Sequence, residues 1–150
     1  MKESPQTRKL EQILRSSKLV AGGFMGDDSR SFNEVIYADA SQVSKLGYTM
    51  EEIAARMQEI TDTAKTGLGN WIKVDDKLQA VADEAKGSLI CPWPHSGRYV
   101  KRITTVQRYN SGETIRWSEL NIHLIAEHGF FEGRGAAFRI EPVKLINVIF

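Results

Sequence analysis

The local signals along the chain change character near Gly87, and that change constrains the fold more than any single motif. Before it, three stretches carry matched helix start and stop signals. Ser4 precedes Pro5, an N-cap with proline at the first helical position, and Leu10, Ile13, Leu14 and Val20 extend a helical stripe towards Gly22-Gly23. Ser31 and Glu34 are spaced as a capping box ahead of Phe32, Val35, Ile36, Val43 and Leu46, with Gly47 as a left-handed stop. Thr49 and Glu52 repeat the box, Tyr48 and Ile53 can staple across it, and Met50, Ile53, Met57, Ile60 and Ala64 line one side up to Gly67 or Gly69.

Beyond Gly87 the signals are mainly those of strands. Ser88 to Cys91 reads as a strand that Pro92 and Pro94 must end or push to a sheet edge, because proline donates no ladder hydrogen bond. Tyr99 to Tyr109 and Glu113 to Trp117 flank Asn110-Ser111-Gly112, a hairpin loop with glycine where positive φ is needed. Ser118 caps a helix from Glu119 to His128 that Gly129 stops. A strand is expected around Phe138 to Ile140, and a last helix opens at Pro142. The region between is two-sided. Trp71 to Val74 favours a short strand, after which Asp76 and Gln79 can cap a helix bearing Leu78, Val81, Ala82 and Ala85; the rival is a β-hairpin turning at Lys86-Gly87. The helix is preferred.

Elements segregated in this way predict an α+β fold: N-terminal amphipathic helices packed on a small, mainly antiparallel sheet formed by the C-terminal half. A length of 150 residues suits a single domain over 1–150, and 41% hydrophobic residues argue against disorder. There are 12 basic and 14 acidic residues up to Gly87, and 8 and 5 beyond it, for a net charge of +1. No global field therefore drives the chain onto nucleic acid or an anionic membrane. One cysteine cannot form an intramolecular disulfide, so a reducing, cytoplasmic setting is expected. Met1 to Thr7 lacks the apolar core of a signal peptide, and no stretch reaches the roughly 18 apolar residues of a membrane span. The apolar segment Leu145 to Phe150 is expected in the core, with burial against a second copy, a homodimer, as the alternative.

The lone cysteine and all three histidines lie between positions 91 and 128, and such residues are the usual borderline and soft metal ligands. His123 and His128 are five apart and diverge by about 140° around a helix axis, whereas His123 and Glu127 share a face. The expected ligand set is therefore Cys91, His95, His123 and Glu127 around a divalent metal such as zinc. His128 is read instead as a helix C-terminal cation, favoured by the helix dipole. Cys91 as a nucleophile would need a thiolate, with only His95 near in sequence.

Arg98, Lys101, Arg102, Arg108 and Arg116, interleaved with Tyr99, Tyr109 and Trp117, form a basic hairpin suited to phosphate or nucleic acid, although the cations fall on both strand faces. Asp39 interrupts the apolar stripe of the second helix; the preferred reading seats it at the rim, and the alternative pairs it with a hairpin arginine. Asp27 and Asp28 could ligate magnesium but better fit a cap. Gly133-Arg134-Gly135 lacks the full phosphate-loop pattern and more simply permits a tight turn beside Phe130-Phe131.

Three functions follow, in order of preference. The first is a non-catalytic binding or interaction module, recognising a small ligand or protein through the Cys91 to Arg102 turn and the Ser118 to His128 helix. The second is a metal-dependent hydrolase using His95, His123 and Glu127. The third is nucleic-acid or phosphate binding through the hairpin from Arg98 to Arg116.

Overall fold

The computed structural model describes residues 4–17, 19–20, 22–95 and 97–150. The expectations for Met1 to Glu3, and for helix continuing through Lys18, lie outside them, as does Ser96 within the proline-bracketed turn. Five helices and a four-stranded antiparallel sheet are present among the described residues: α1 (Pro5–Arg15), α2 (Phe32–Lys45), α3 (Met50–Lys65), β1 (Ile72–Lys73), β2 (Leu78–Ile90), β3 (Arg98–Arg108), β4 (Thr114–Ser118), α4 (Glu119–His128) and α5 (Pro142–Ile149). The fold is α+β, with strands in the order β1-β2-β3-β4. Among the described residues, no helix is long and apolar enough to cross a membrane.

The caps read from the sequence are in place. The Ser4, Ser31, Thr49 and Ser118 side chains accept hydrogen bonds from the first turns of their helices, and at Thr49–Glu52 and Ser118–Asn121 the bonds are reciprocal. α1 ends at Arg15, earlier than the stripe to Val20 implied. Leu14 carbonyl takes the backbone N–H groups of Phe24 and Met25, so the chain folds back instead of continuing the helix.

The preferred helix over 76–85 is corrected: Leu78 to Ile90 is one strand. Asp75 Oδ1 accepts from the backbone N–H of Lys77 and Leu78, a side-chain-closed turn that sends β1 back into β2 rather than capping a helix. A stripe of Leu78, Ala80 and Ala82 then faces the core at period two, and pairing of Ala80 with Val106 and Ala82 with Thr104 fixes the register. Nor is Lys86-Gly87 the turn. It lies within a bulge where the register shifts between Glu84 and Ser88, with Gly87 at φ +100°. The sheet thus begins at Ile72, before the divide at Gly87, so three N-terminal helices rather than four precede it. The expected strand at Phe138 to Ile140 is absent: Arg139 N–H donates to Ala136 and Ile140 N–H to Phe131, a turn that carries the Arg139 side chain inward.

Two apolar clusters support these elements. One joins α3, the inner face of the sheet and α5, and includes Met57, Ile60, Leu78, Val106, Trp117, Phe131 and Leu145. The other joins α1, α2, the loop at Phe24-Met25, α4 and the far end of the β2–β3 ribbon, and includes Leu14, Val35, Cys91, Leu124 and Phe130. The adjacent rings of Phe130 and Phe131 each enter a different cluster. Leu145, Ile146, Val148 and Ile149 are all buried within the chain itself, so the homodimer expectation loses the apolar segment on which it stood.

Candidate metal centre

The bulged β2–β3 ribbon reaches beyond the first cluster, and its tip folds down onto α4. Cys91 follows the last residue of β2 and is 3% exposed. Pro92, Trp93 and Pro94 then turn the chain, closed by the His95 N–H donating to Trp93 carbonyl at 2.8 Å. On the facing element, His123 lies mid-helix and His128 is the last residue before Gly129, whose left-handed conformation ends α4 as the sequence predicts.

Four side chains converge there. Cys91, His95, His123 and His128 each offer one ligand atom, and the four atoms lie within 4.8 Å of one another. His123 Nε2 is 3.2 Å from His95 Nε2, His95 Nε2 is 3.3 Å from His128 Nε2, and His128 Nε2 is 3.7 Å from Cys91 Sγ. A tetrahedral zinc ion with Zn–N of about 2.0–2.1 Å and Zn–S of about 2.3 Å requires N···N edges of roughly 3.3–3.4 Å and S···N edges of roughly 3.5–3.6 Å. These three of the six edges agree with this to within about 0.2 Å, and the other pairs lie within 4.8 Å.

Aromatic neighbours hold the imidazoles in place. Trp93 stacks flat on His128, with centroids 4.0 Å apart and planes at 8°, and is itself wedged edge-on against Phe130 and Phe32. Tyr99 of β3 stacks on His123 at 4.7 Å. Cys91 is buried, His123 and His128 are half-buried and His95 is exposed, so the site has one solvent-facing corner.

Burial, reinforced by the neighbouring His123 and His95, pushes His128 down to about 4 against the opposing charge of Glu127. Burial and then His95 also lower His123. Both rings are therefore neutral near pH 7 and present lone pairs, as ligation requires. Burial pushes the Cys91 thiol up, outweighing a backbone hydrogen bond from Trp93. Without a cation beside it Cys91 is a thiol, which argues against the nucleophile reading.

The structure brings together Cys91, His95 and His123 from the expected set, with His128 beside them. Glu127 is exposed and stands outside this group. The divergence of about 140° applies to Cβ directions on the helix. The Nε2 atoms lie several bonds farther out, where His95 comes down between the two rings from the ribbon. The clustering of every histidine with the only cysteine was the informative signal, and helical-face arithmetic misdirected the choice among them.

The hairpin cations are largely engaged within the fold. Arg102 pairs with Glu84 and Glu119, Arg108 donates to Val148 carbonyl, Arg98 lies 3.5 Å from Ser88 Oγ, and Arg116 covers the Phe138 ring. Lys101 is exposed beside a cavity. Asp39 is not at the rim: it is 3% exposed and pairs through both oxygens with Arg139, which comes from the turn before α5 and not from the hairpin. Asp28 anchors its loop. Both its oxygens take Arg30, one also takes the Arg134 N–H, and the Arg30 guanidinium holds its carboxyl far below the usual range.

No protein-family model, curated protein or solved structure matches the chain.

Proposed function

We propose that this chain is a metal-binding interaction module in which Cys91, His95, His123 and His128 hold a single zinc-class ion. Convergence of one sulfur and three imidazole nitrogens within 4.8 Å of one another, with three of the separations close to tetrahedral edges, carries this reading. The ion would fasten the Cys91 to Arg102 turn onto α4, the two elements whose sequence suggests a recognition surface. Four protein ligands complete a tetrahedral shell, the pattern of structural rather than hydrolytic zinc, where one position stays open for water. That favours the binding module over the hydrolase of His95, His123 and Glu127. Engagement of Arg102 and Arg108 inside the fold likewise weighs against nucleic acid as the partner. A thiolate ligand is retained best in a reducing compartment, which suits a cytoplasmic setting.

Elemental analysis of tag-free protein tests the proposal. The expected result is one zinc per chain, lost on Cys91→Ser or His128→Ala and unaffected by Glu127→Gln. Metal-free protein that also refuses added zinc overturns it, and so does an ion released by Glu127→Gln but retained in His128→Ala.

A further inference from the structure

A cavity of about 290 Å³ opens beside the ribbon, walled chiefly by Leu19, Val20, Phe24, Leu89, Leu120 and Phe138. Its volume lies at the lower edge of ligand pockets, roughly 300–1,000 Å³, which points to a small ligand. One acidic and one basic side chain line these apolar walls. Glu132 is only 5% exposed, and its Oε2 accepts from Asn121 Nδ2 at 2.9 Å. No described residue donates to its other oxygen, and Glu132 lines the cavity. The nearest guanidinium, Arg139, is committed to Asp39 and Glu141 and touches Glu132 only at its backbone carbonyl, 2.7 Å away. Lys101 has no ion-pair partner among the described residues, and Glu84 and Glu119 are both held by Arg102.

We propose that this cavity binds a small apolar amino acid, with its ammonium on Glu132, its carboxylate on Lys101 and its side chain against the leucine and phenylalanine walls. A buried carboxyl without a counter-charge is an unfavourable feature for a fold to carry, and a zwitterion relieves it while satisfying the lysine. Burial pushes the Glu132 carboxyl up to about 8 despite the Asn121 hydrogen bond and the Arg139 charge, consistent with a missing cation. Glu132 also adopts φ +67°, a left-handed conformation in which glycine would be at ease. Glycine there would remove both the strain and the buried charge, so the carboxyl is not explained by the needs of the backbone. None of this depends on the metal centre.

Calorimetric titration of the full chain with L-leucine and L-phenylalanine tests the proposal, with isopentylamine and 4-methylpentanoate as probes carrying one charge only. Saturable binding of at least one amino acid is expected, with each single-charge probe at least tenfold weaker. Glu132→Gln and Lys101→Met should each weaken the amino acid at least tenfold. Circular dichroism should be unchanged in both variants, and Lys101 is exposed, so its variant keeps the test valid if Glu132→Gln misfolds. Absence of saturable binding by both amino acids up to tens of millimolar overturns the proposal. Undiminished binding in a folded Lys101→Met protein, or equal affinity for isopentylamine, overturns it as well.

Discussion

Replacing Glu132 by glutamine should remove a specific loss of stability above neutral pH. The carboxyl is 5% exposed, and burial raises it from 4.5 to about 8. The folded chain therefore holds this proton more tightly than the unfolded chain. The stability so conferred is complete below the unfolded value and is lost as pH rises through the folded one. His128 acts in the opposite sense, being lowered from 6.5 to about 4, but its contribution is complete by about pH 6.5. Between about pH 6.5 and about pH 8.5 the Glu132 contribution is left isolated. A slope approaching 1.4 kcal/mol per pH unit, tapering near the folded value, amounts to about 2 kcal/mol across that window. Glutamine keeps an oxygen for the Asn121 amide and cannot ionise. Urea unfolding of both proteins across this range should show the variant gaining about 2 kcal/mol on the parent as pH rises, with any contribution from bound metal cancelling in the difference. Parallel pH profiles for the two proteins would refute the placement of this carboxyl in a buried site without a counter-charge.

Asp39→Ala should destabilise the chain by about 3–5 kcal/mol in denaturant titration, because Arg139 would keep a largely buried guanidinium without its two-oxygen partner. Thr61→Val should cost about 1–3 kcal/mol by the same assay: the buried Thr61 hydroxyl accepts from Trp117 Nε1 at 2.9 Å and from Thr104 Oγ1 at 3.2 Å, and valine leaves both donors unsatisfied. Gly26→Ala should prevent native folding, seen as loss of a cooperative thermal transition, since a Cβ there would stand 2.3 Å from the backbone nitrogen of Ala136. Free zinc at a hundredfold excess over its dissociation constant should stabilise the parent by about 2.7 kcal/mol, a rise of roughly 5–10 °C in Tm, and should leave His123→Ala unmoved.

Helix starts were the most legible part of the sequence because a cap is a local arrangement: Ser4, Ser31, Thr49 and Ser118 need only their own first turns to act. The segment after Asp76 misled for the converse reason. Leu78, Val81, Ala82 and Ala85 satisfy a helical stripe, while Leu78, Ala80 and Ala82 satisfy a strand, and only pairing with β3, more than twenty residues on, decides between them. The candidate site divides in the same way. Its composition was visible in the confinement of the lone cysteine and every histidine to one stretch, but the membership of His128 depended on the ribbon tip bending over α4. That bend follows the bulge at Gly87, which in sequence reads equally well as a hairpin turn. Arg139 and Glu132 carried no sequence signal at all. One is an arginine within an expected strand and the other a glutamate in a glycine-rich loop, and their burial is a property of the two clusters that close around them.

X-ray absorption at the zinc edge of the loaded protein addresses the metal centre most directly. One sulfur at about 2.3 Å and three nitrogens at about 2.0–2.1 Å are predicted, with the sulfur shell vanishing in Cys91→Ser. A shell of oxygen ligands, more than one sulfur, or a zinc-binding chain whose spectrum is unchanged by Cys91→Ser would contradict the proposed four-ligand site.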